Sequence, residues 1–238
     1  QLPASWKCKT GDDAAWSEPA FDEAAWQTLP VGSRWEDNGF SEYDGYAWYR
    51  THVEIPSSLR TGAFPAAELK ITLGKIDDGD QVYLNGKIIG QNAGVVGTIE
   101  EGNHTRERVY AIPVDDPAIH WDADNGLAVR VYDRSGSGGM YEGPYTIAMT
   151  GISDAVTIND TREMFSFPSR TTLKKTVYLE SSTDQVDFRG TVSVRVIDPI
   201  AGKHVYTTSA PASFSMGKSF PFTYSFSAPR AQSYDAEY

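Results

Sequence analysis

One stretch in the first half of the chain constrains the fold most, and it spans residues 73–90. Val82 begins an alternation of apolar and polar residues, and Asn85 and Gly86 then supply two positions that tolerate positive φ in a tight type I′ turn. Upstream, a second alternation from Leu69 predicts another strand, which joins through an acidic corner. The pattern predicts a hairpin with one apolar face, and a second sheet must cover that face.

The composition predicts an all-β chain. Its 238 residues suffice for one large or two modest domains, each with a real core. Aromatic residues make up 12% of the chain and Gly and Pro are frequent, which is typical of short strands joined by tight turns. The formal net charge of −11 argues against nucleic acid, because binding phosphates requires a basic surface. We therefore expect a neutral partner.

Motifs for other chemistry are absent from the sequence. The single cysteine, Cys8, excludes an internal disulfide and a cysteine-based zinc or redox centre. No apolar run reaches the ~18 residues of a membrane span. The four histidines are isolated, and Gly-x-Ser-x-Gly does not occur. Because the chain starts at Gln1, we expect a removed leader or a trimmed chain, and we predict a secreted, periplasmic or cell-surface location.

Four ordered stretches carry a family resemblance. They are WSEPAFDEAAW at 16–26, YDGYAWYRTHVEIP at 43–56, LGKIDDGDQVYLNGKIIG at 73–90 and LAVRVYDRSGSGGMYEGPY at 127–145. Together they resemble the sugar-binding, galactose-binding-like jelly-roll domain at the front of family 2 glycoside hydrolases and inside related sialate esterases. The resemblance covers roughly the first two-thirds of the chain. It implies sugar recognition without hydrolysis, because the catalytic barrel of those hydrolases would not fit in the remaining length.

A second β domain is predicted towards the carboxyl end. Residues 151–170 are polar, and strand-like alternation restarts at Val177 and again at Val192. Strands that recur every ~12 to 15 residues with turn signals between them are typical of an immunoglobulin-like sandwich. We therefore predict a galactose-binding-like jelly-roll domain at 1–158 and a smaller Ig-like β-sandwich domain at 159–238.

The candidate sugar-binding residues come from aromatic and acidic segments near the strand ends. Sugars bind where aromatic faces cover C–H patches and where carboxylates and Arg pair with hydroxyls. Strand parity places Tyr49 in the core and leaves Trp48 and Arg50 side by side on the opposite face, away from the core. Residues 133–145 are predicted to form a flexible loop. The predicted carbohydrate-binding residues are Trp35, Glu36, Tyr43, Asp44, Tyr46, Trp48, Arg50, Arg130, Asp133, Tyr141 and Glu142.

Two purely structural interpretations compete with this site. An aromatic loop also folds over the end of its own sandwich, and an Arg also pairs with a carboxylate to hold loops in place.

The acidic corner Asp77, Asp78 and Asp80 offers hard oxygen ligands for structural calcium. Turn hydrogen bonds to backbone N–H groups explain the corner as well and are favoured. We therefore predict no cofactor.

The function predicted from the sequence is a non-catalytic carbohydrate-binding module. It would be an accessory part of a bacterial glycan-degrading system related to family 2 glycoside hydrolases, and its partners would be an oligosaccharide or polysaccharide and a catalytic glycosidase. One alternative is an architectural or protein-docking pair of sandwiches, which would bury Trp48 and Arg50 against another chain. The other is a small glycan-active hydrolase, for which Glu42-Tyr43-Asp44 begins a Glu-x-Asp-x-x-Glu pattern that Ala47 breaks.

Overall fold

The chain divides into two units of β structure. The computed structural model describes residues 1–61, 67–92, 103–159, 171–181, 188–215, 218–230 and 233–238. Contacts divide the chain into Gln1–Thr150 and Gly151–Tyr238. Within the described residues, no helix has the length and apolarity needed to cross a membrane. The prediction of an all-β chain made of two sandwiches is confirmed.

The first unit is a sandwich of two antiparallel sheets. Its described strands are β1 (Ser5–Thr10), β2 (Gln27–Pro30), β3 (Gly45–Glu54), β4 (Glu68–Asp77), β5 (Gly79–Leu84), β6 (Lys87–Asn92), β7 (Glu107–Pro113), β8 (Asp124–Asp133) and β9 (Gly139–Met149). The larger sheet has the order β2-β1-β3-β8-β5-β6, and the smaller has the order β7-β4-β9. Short 3-10 helices lie at Ala14–Ser17, Glu36–Asn38, Ser57–Arg60 and Asn103–Thr105.

The predicted hairpin is present, and its upstream strand lies in the opposite sheet. β5 and β6 pair around Asn85 and Gly86, whose φ values of 49° and 83° are those of a type I′ turn. β4 pairs instead with β7 and β9. The acidic corner at Asp77 and Asp78 therefore carries the chain from the small sheet to the large one, at one end of the sandwich.

Alternating apolar side chains from both sheets form the core of the first unit. Leu69, Ile71 and Leu73 of β4 face Val82 of β5 and Val129 of β8, and all five are fully buried. Each such side chain contributes about 1.5–3 kcal/mol relative to leaving it exposed. The period-two pattern thus sets which face of each strand is inside.

The predicted flexible loop after residue 132 is wrong for most of its length. β8 continues to Asp133, and β9 begins at Gly139. In β9, Glu142 and Tyr145 pair with Lys75 and Leu73 of β4, so the glycine-rich sequence forms a strand with register shifts. The polar and Gly-rich sequence at 91–107 also predicts a long loop, and residues 93–102 of it lie outside the described residues.

The second unit contains two three-stranded antiparallel sheets among its described residues. After helix α1 (Ile152–Ala155), its strands are β10 (Val156–Asn159), β11 (Thr172–Ser181), β12 (Phe188–Asp198), β13 (Lys203–Phe214), β14 (Ser219–Ser227) and β15 (Asp235–Glu237). The sheets have the orders β10-β11-β14 and β13-β12-β15. The unit begins before the predicted boundary at residue 158, because β10 already pairs with β11.

Candidate functional site

Strand register brings predicted residues together on the outer face of the six-stranded sheet. Trp48 of β3 lies opposite Arg130 of β8, and Arg130 lies opposite Gln81 of β5. In the next row, Tyr46 lies opposite Tyr132. Since directly opposed residues place their side chains on the same face, these five form one continuous surface.

Trp48 lies on this face but is sealed from solvent. Its side chain is 1% exposed, because residues 11–26 fold over it. The Trp16 ring meets Trp48 edge-on at 6.2 Å between centroids, and Trp26 meets Trp16 at 5.1 Å. Trp48 lies on the face opposite the main core, as predicted, but a second apolar cluster encloses it, so its ring is not open to a sugar.

Arg50 is also covered, and its charge is paired inside the cover. The residue is 2% exposed, its Nε donates to Glu23 Oε2 at 3.1 Å, and it also donates to the carbonyl of Trp16. Glu23 Oε1 lies 3.0 Å from His52 Nε2, and Asp124 Oδ2 lies 2.6 Å from His52 Nδ1. The prediction of Arg50 as an open sugar contact is therefore wrong, because this network fixes residues 11–26 to the sheet.

An uncovered part of the face remains beside this segment, and we call Tyr46, Tyr83, Arg130 and Tyr132 the tyrosine face. All four are partly exposed. The Arg130 guanidinium carbon lies 4.1 Å from the Tyr46 ring centroid, and the Tyr46 and Tyr132 rings are 4.7 Å apart. Such Arg–aromatic stacking restricts the orientations of both the guanidinium and the ring.

Polar groups beside the tyrosine face are held in a fixed arrangement. Arg130 Nε donates to Asp12 Oδ1 at 2.7 Å, Arg130 NH2 lies 2.5 Å from Asp12 Oδ2, and Arg130 NH1 donates to Gln81 Oε1 at 2.9 Å. The hydrogen bond with Asp12 raises the pKa of Arg130, and the same bond lowers the pKa of Asp12. The Trp48 indole donates to Asp12 Oδ1 at 3.1 Å. Rings and directed polar groups thus lie side by side, as sugar binding requires.

A second group of predicted residues gathers at the end of the sandwich that holds the acidic corner. We call Asp77, Asp78, Asp133 and Glu36 the acidic end. Asp133 is 0% exposed, and its Oδ1 accepts from the Ser135 N–H at 3.1 Å. The prediction that Asp133 contacts sugar directly is wrong for a residue this deeply buried.

Electrostatics at the acidic end disfavour full ionisation. Burial raises the pKa of Asp77 to about 7, and the neighbouring Asp78 carboxyl adds to this rise, while Arg34 opposes it. Burial also raises the pKa of Asp133 to about 7, with a further contribution from Asp77 and Asp78. Carboxyl groups taken out of water near like charges favour the neutral form.

Trp35 was predicted as a sugar contact and is instead part of the core. The side chain is 0% exposed and packs against Tyr43 at 5.6 Å between ring centroids. A Cβ on Gly138 would lie 2.0 Å from the Trp35 ring, so the glycine permits the close approach. The prediction is wrong because the loop around Trp35 folds inward over the end of the sandwich.

The remaining predicted residues hold neighbouring segments in place. Glu36 accepts from the Gly138 N–H at 3.0 Å, and the Tyr43 hydroxyl donates to the Tyr46 carbonyl at 2.7 Å. The Tyr141 hydroxyl donates to the His104 carbonyl at 2.7 Å, and Lys75 Nζ lies 2.7 Å from Glu142 Oε1. Asp44 is exposed. These contacts match the structural interpretation of the loops that the sequence left open.

The third aspartate of the corner is not part of the acidic end. Asp80 Oδ1 lies 2.5 Å from Arg108 Nε with both side chains fully buried, and the Tyr110 hydroxyl donates to the other oxygen. A calcium site that includes Asp80 is therefore excluded by this pair. Sequence reasoning missed Arg108, although it shares the buried parity of β7 with Tyr110, and a charge at a buried position signals a partner.

One cleft also opens at the edge of the larger sheet. Its volume is about 340 Å³, and the aromatic residues Phe21, Trp26 and Phe40 line it together with Lys9 and Gln27. None of the predicted carbohydrate-binding residues lines this cleft. It lies at the β2 edge, where the cover formed by residues 11–26 rejoins the sheet.

Comparison with known proteins identifies the family. A family model described as the beta-galactosidase second all-beta domain matches residues 11–137, which is more than half of the chain. The chain belongs to this family. The matched range of this second all-beta domain contains both the tyrosine face and the acidic end. A search of curated proteins gave no match.

Solved structures with the same fold come from larger bacterial enzymes. Beta-glucuronidase 2 of Bacteroides uniformis is 20% identical with a TM-score of 0.57, and the match covers 93% of this chain and 26% of that one. A glycosyl hydrolase family 2 member from Bacteroides cellulosilyticus is 14% identical with a TM-score of 0.64, covering 97% and 30%. A beta-glycosidase from Bacteroides vulgatus is 17% identical with a TM-score of 0.59, covering 95% and 29%.

These matches show that this chain and the three enzymes share a fold over part of their length. At such identities the likeness concerns the fold alone, and the chain spans about a quarter to a third of the length of these three proteins. The predicted resemblance to the front domains of family 2 glycoside hydrolases is confirmed at the level of the β domains.

Proposed function

We propose that the chain is a non-catalytic, glycan-binding accessory module of a bacterial glycoside hydrolase system, secreted, periplasmic or at the cell surface. The observation that carries this proposal is the tyrosine face, where partly exposed rings lie beside a guanidinium and an amide in fixed geometry. Tyr46 and Arg130 are the two predicted residues that meet there. The family relation and the large bacterial enzymes with the same fold support an accessory role beside a catalytic glycosidase.

The shape of the tyrosine face fits an extended sugar chain better than a single buried sugar. Tyr83 stacks on Trp48 at 5.5 Å, while Tyr132 lies against Tyr46, so the rings follow neighbouring strands of the sheet. Consecutive sugar rings can cover such a platform with their C–H patches, while Gln81 and Arg130 meet the hydroxyls. A shallow and wet platform predicts weak binding, with a Kd of ~10 µM to 1 mM.

Isothermal titration with a panel of neutral and acidic oligosaccharides tests the proposal. We expect at least one sugar to bind, and we expect Tyr46→Ala to weaken that binding by about two- to tenfold, the loss of one aromatic contact. Tyr178→Ala is the matched control, because Tyr178 is a 47% exposed tyrosine in the second unit. No heat with any sugar, or equal affinity for wild type and Tyr46→Ala, would overturn the proposal.

A further inference from the structure

The acidic end brings together metal-ligand atoms from separate parts of the chain. One carboxylate oxygen each from Asp77 and Asp78 and a ring nitrogen of His104 lie within 4.8 Å of one another. Asp77 and Asp78 are partly exposed and His104 is exposed, so the group is accessible from solvent. Across the described ranges, this is the one set of three such side chains that lies so close together.

An unpaired, buried oxygen of Asp133 is an independent sign of a ligand. Asp133 Oδ2 is buried and has no hydrogen-bond partner. The Asp133 carboxyl interacts electrostatically with Asp77 and Asp78, and the Arg134 N–H, one residue further on, donates to Asp78 Oδ2 at 3.1 Å. Buried polar atoms in folded proteins nearly always have a hydrogen-bond partner or a ligand, so we expect a bound group to contact Asp133 Oδ2.

The backbone that carries the ligand atoms is fixed before any ligand binds. Arg108 NH2 donates to the carbonyls of Ile76 and Asp78 at 2.7 and 2.8 Å, and the Asn103 amide donates to the same Asp78 carbonyl. Tyr141 holds the carbonyl of His104. A buried ion pair and a hydroxyl therefore position the corner and the histidine, and such support is typical of preorganised sites.

We propose that the acidic end binds a divalent cation through the carboxylates of Asp77 and Asp78 and the imidazole of His104, with Asp133 Oδ2 as a further ligand, direct or through water. Three carboxylates place up to three negative charges in a partly buried space, and a divalent cation offsets that repulsion. Carboxylates suit Ca²⁺ and Mn²⁺, whereas an imidazole ligand favours Mn²⁺ or Zn²⁺.

The test is isothermal titration of the EDTA-treated chain with Ca²⁺, Mn²⁺ and Zn²⁺ separately at pH 7. We expect one cation to bind with 1:1 stoichiometry and a Kd below about 100 µM. Asp77→Asn and Asp133→Asn should each weaken binding tenfold or more. Asp116→Asn is the control, because Asp116 pairs with Lys87 elsewhere and should leave the affinity unchanged.

His104→Ala tests the imidazole as a ligand. Affinity lowered tenfold or more supports this role, and unchanged affinity would overturn the assignment of His104 to the site. A rise in the unfolding temperature of wild type with the bound cation checks the result without any variant. No cation binding more tightly than about 1 mM, or binding that survives both aspartate substitutions, would overturn the proposal. Tyr46→Ala should leave cation affinity unchanged, so this site and the glycan site can fail separately.

Discussion

Replacing Asp80 by Asn should destabilise the first unit severely. Asp80 and Arg108 have fully buried side chains, and Nε and Oδ1 are 2.5 Å apart. The substitution keeps the volume but removes the counter-charge, which leaves a guanidinium in the sandwich without its partner. Breaking a buried ion pair from one side costs about 3–5 kcal/mol, whereas domains are stable by only about 5–15 kcal/mol. The Tyr110 hydroxyl loses a charged acceptor as well.

Tryptophan fluorescence during urea unfolding measures this effect in the first unit alone. All six tryptophans lie at or before residue 121, inside Gln1–Thr150. Asp116→Asn is the matched control, because its partner Lys87 is half exposed, and such pairs are worth about 0–1 kcal/mol. A loss below about 1 kcal/mol for Asp80→Asn, or an equal loss for the control, would refute the account of the buried pair.

Two further predictions concern stability. In the presence of EDTA, stability should fall as pH rises from about 4 to about 7, because the pKa values of Asp77 and Asp133 are raised from 3.8 to about 7 in the folded chain, which keeps protons that the unfolded chain has released. Urea unfolding between pH 4 and pH 7 should show a smaller fall in the free energy of unfolding for Asp133→Asn than for wild type. An identical fall in both proteins would contradict the raised pKa of Asp133. Gly138→Ala should cost about 1–3 kcal/mol, since the new Cβ would lie 2.0 Å from the Trp35 ring. In the same denaturation assay Gly126→Ala, with its nearest neighbour 3.8 Å away, should be close to neutral, and equal losses would argue against the tight packing of Trp35.

Turns and the buried faces of strands were predictable, because residues close together in the sequence determine them. The hairpin around Asn85 and Gly86 follows from alternation and turn chemistry, both of which are local. In the second unit, the alternation at Val192 and Val194 gives the buried face of β12 directly. Local pattern and final fold agree there because the same side chains determine both.

The burial of Trp48 under a distant segment of the chain was not predictable from the sequence. Parity correctly separates Trp48 from Tyr49, which belong to different apolar clusters. Parity does not reveal that residues 11–26 cover the outer face at Trp48 and leave Tyr46 open. That outcome depends on the pairing of Glu23 with Arg50 across the fold, and no spacing in the sequence encodes it.

The acidic corner also combines a feature that the sequence predicts with one that it does not. Its turn residues mark a sheet-to-sheet crossing, but the sequence does not say which carboxylate turns inward. Asp80 pairs with Arg108, and Asp133 arrives from a strand more than 50 residues away to take a place beside Asp77. Three-dimensional neighbours, rather than adjacent residues, therefore decide which carboxylates make the site.

Backbone amide chemical shifts, recorded during titration with the oligosaccharide that binds best, test the central claim most directly. The account predicts that the largest shifts cluster on three neighbouring strands, at residues 46–48, 81–83 and 130–132, and saturate with the calorimetric Kd. Shifts concentrated at the cleft lined by Phe21 and Phe40, at the acidic end, or in the second unit would contradict it, as would no saturable shift at all.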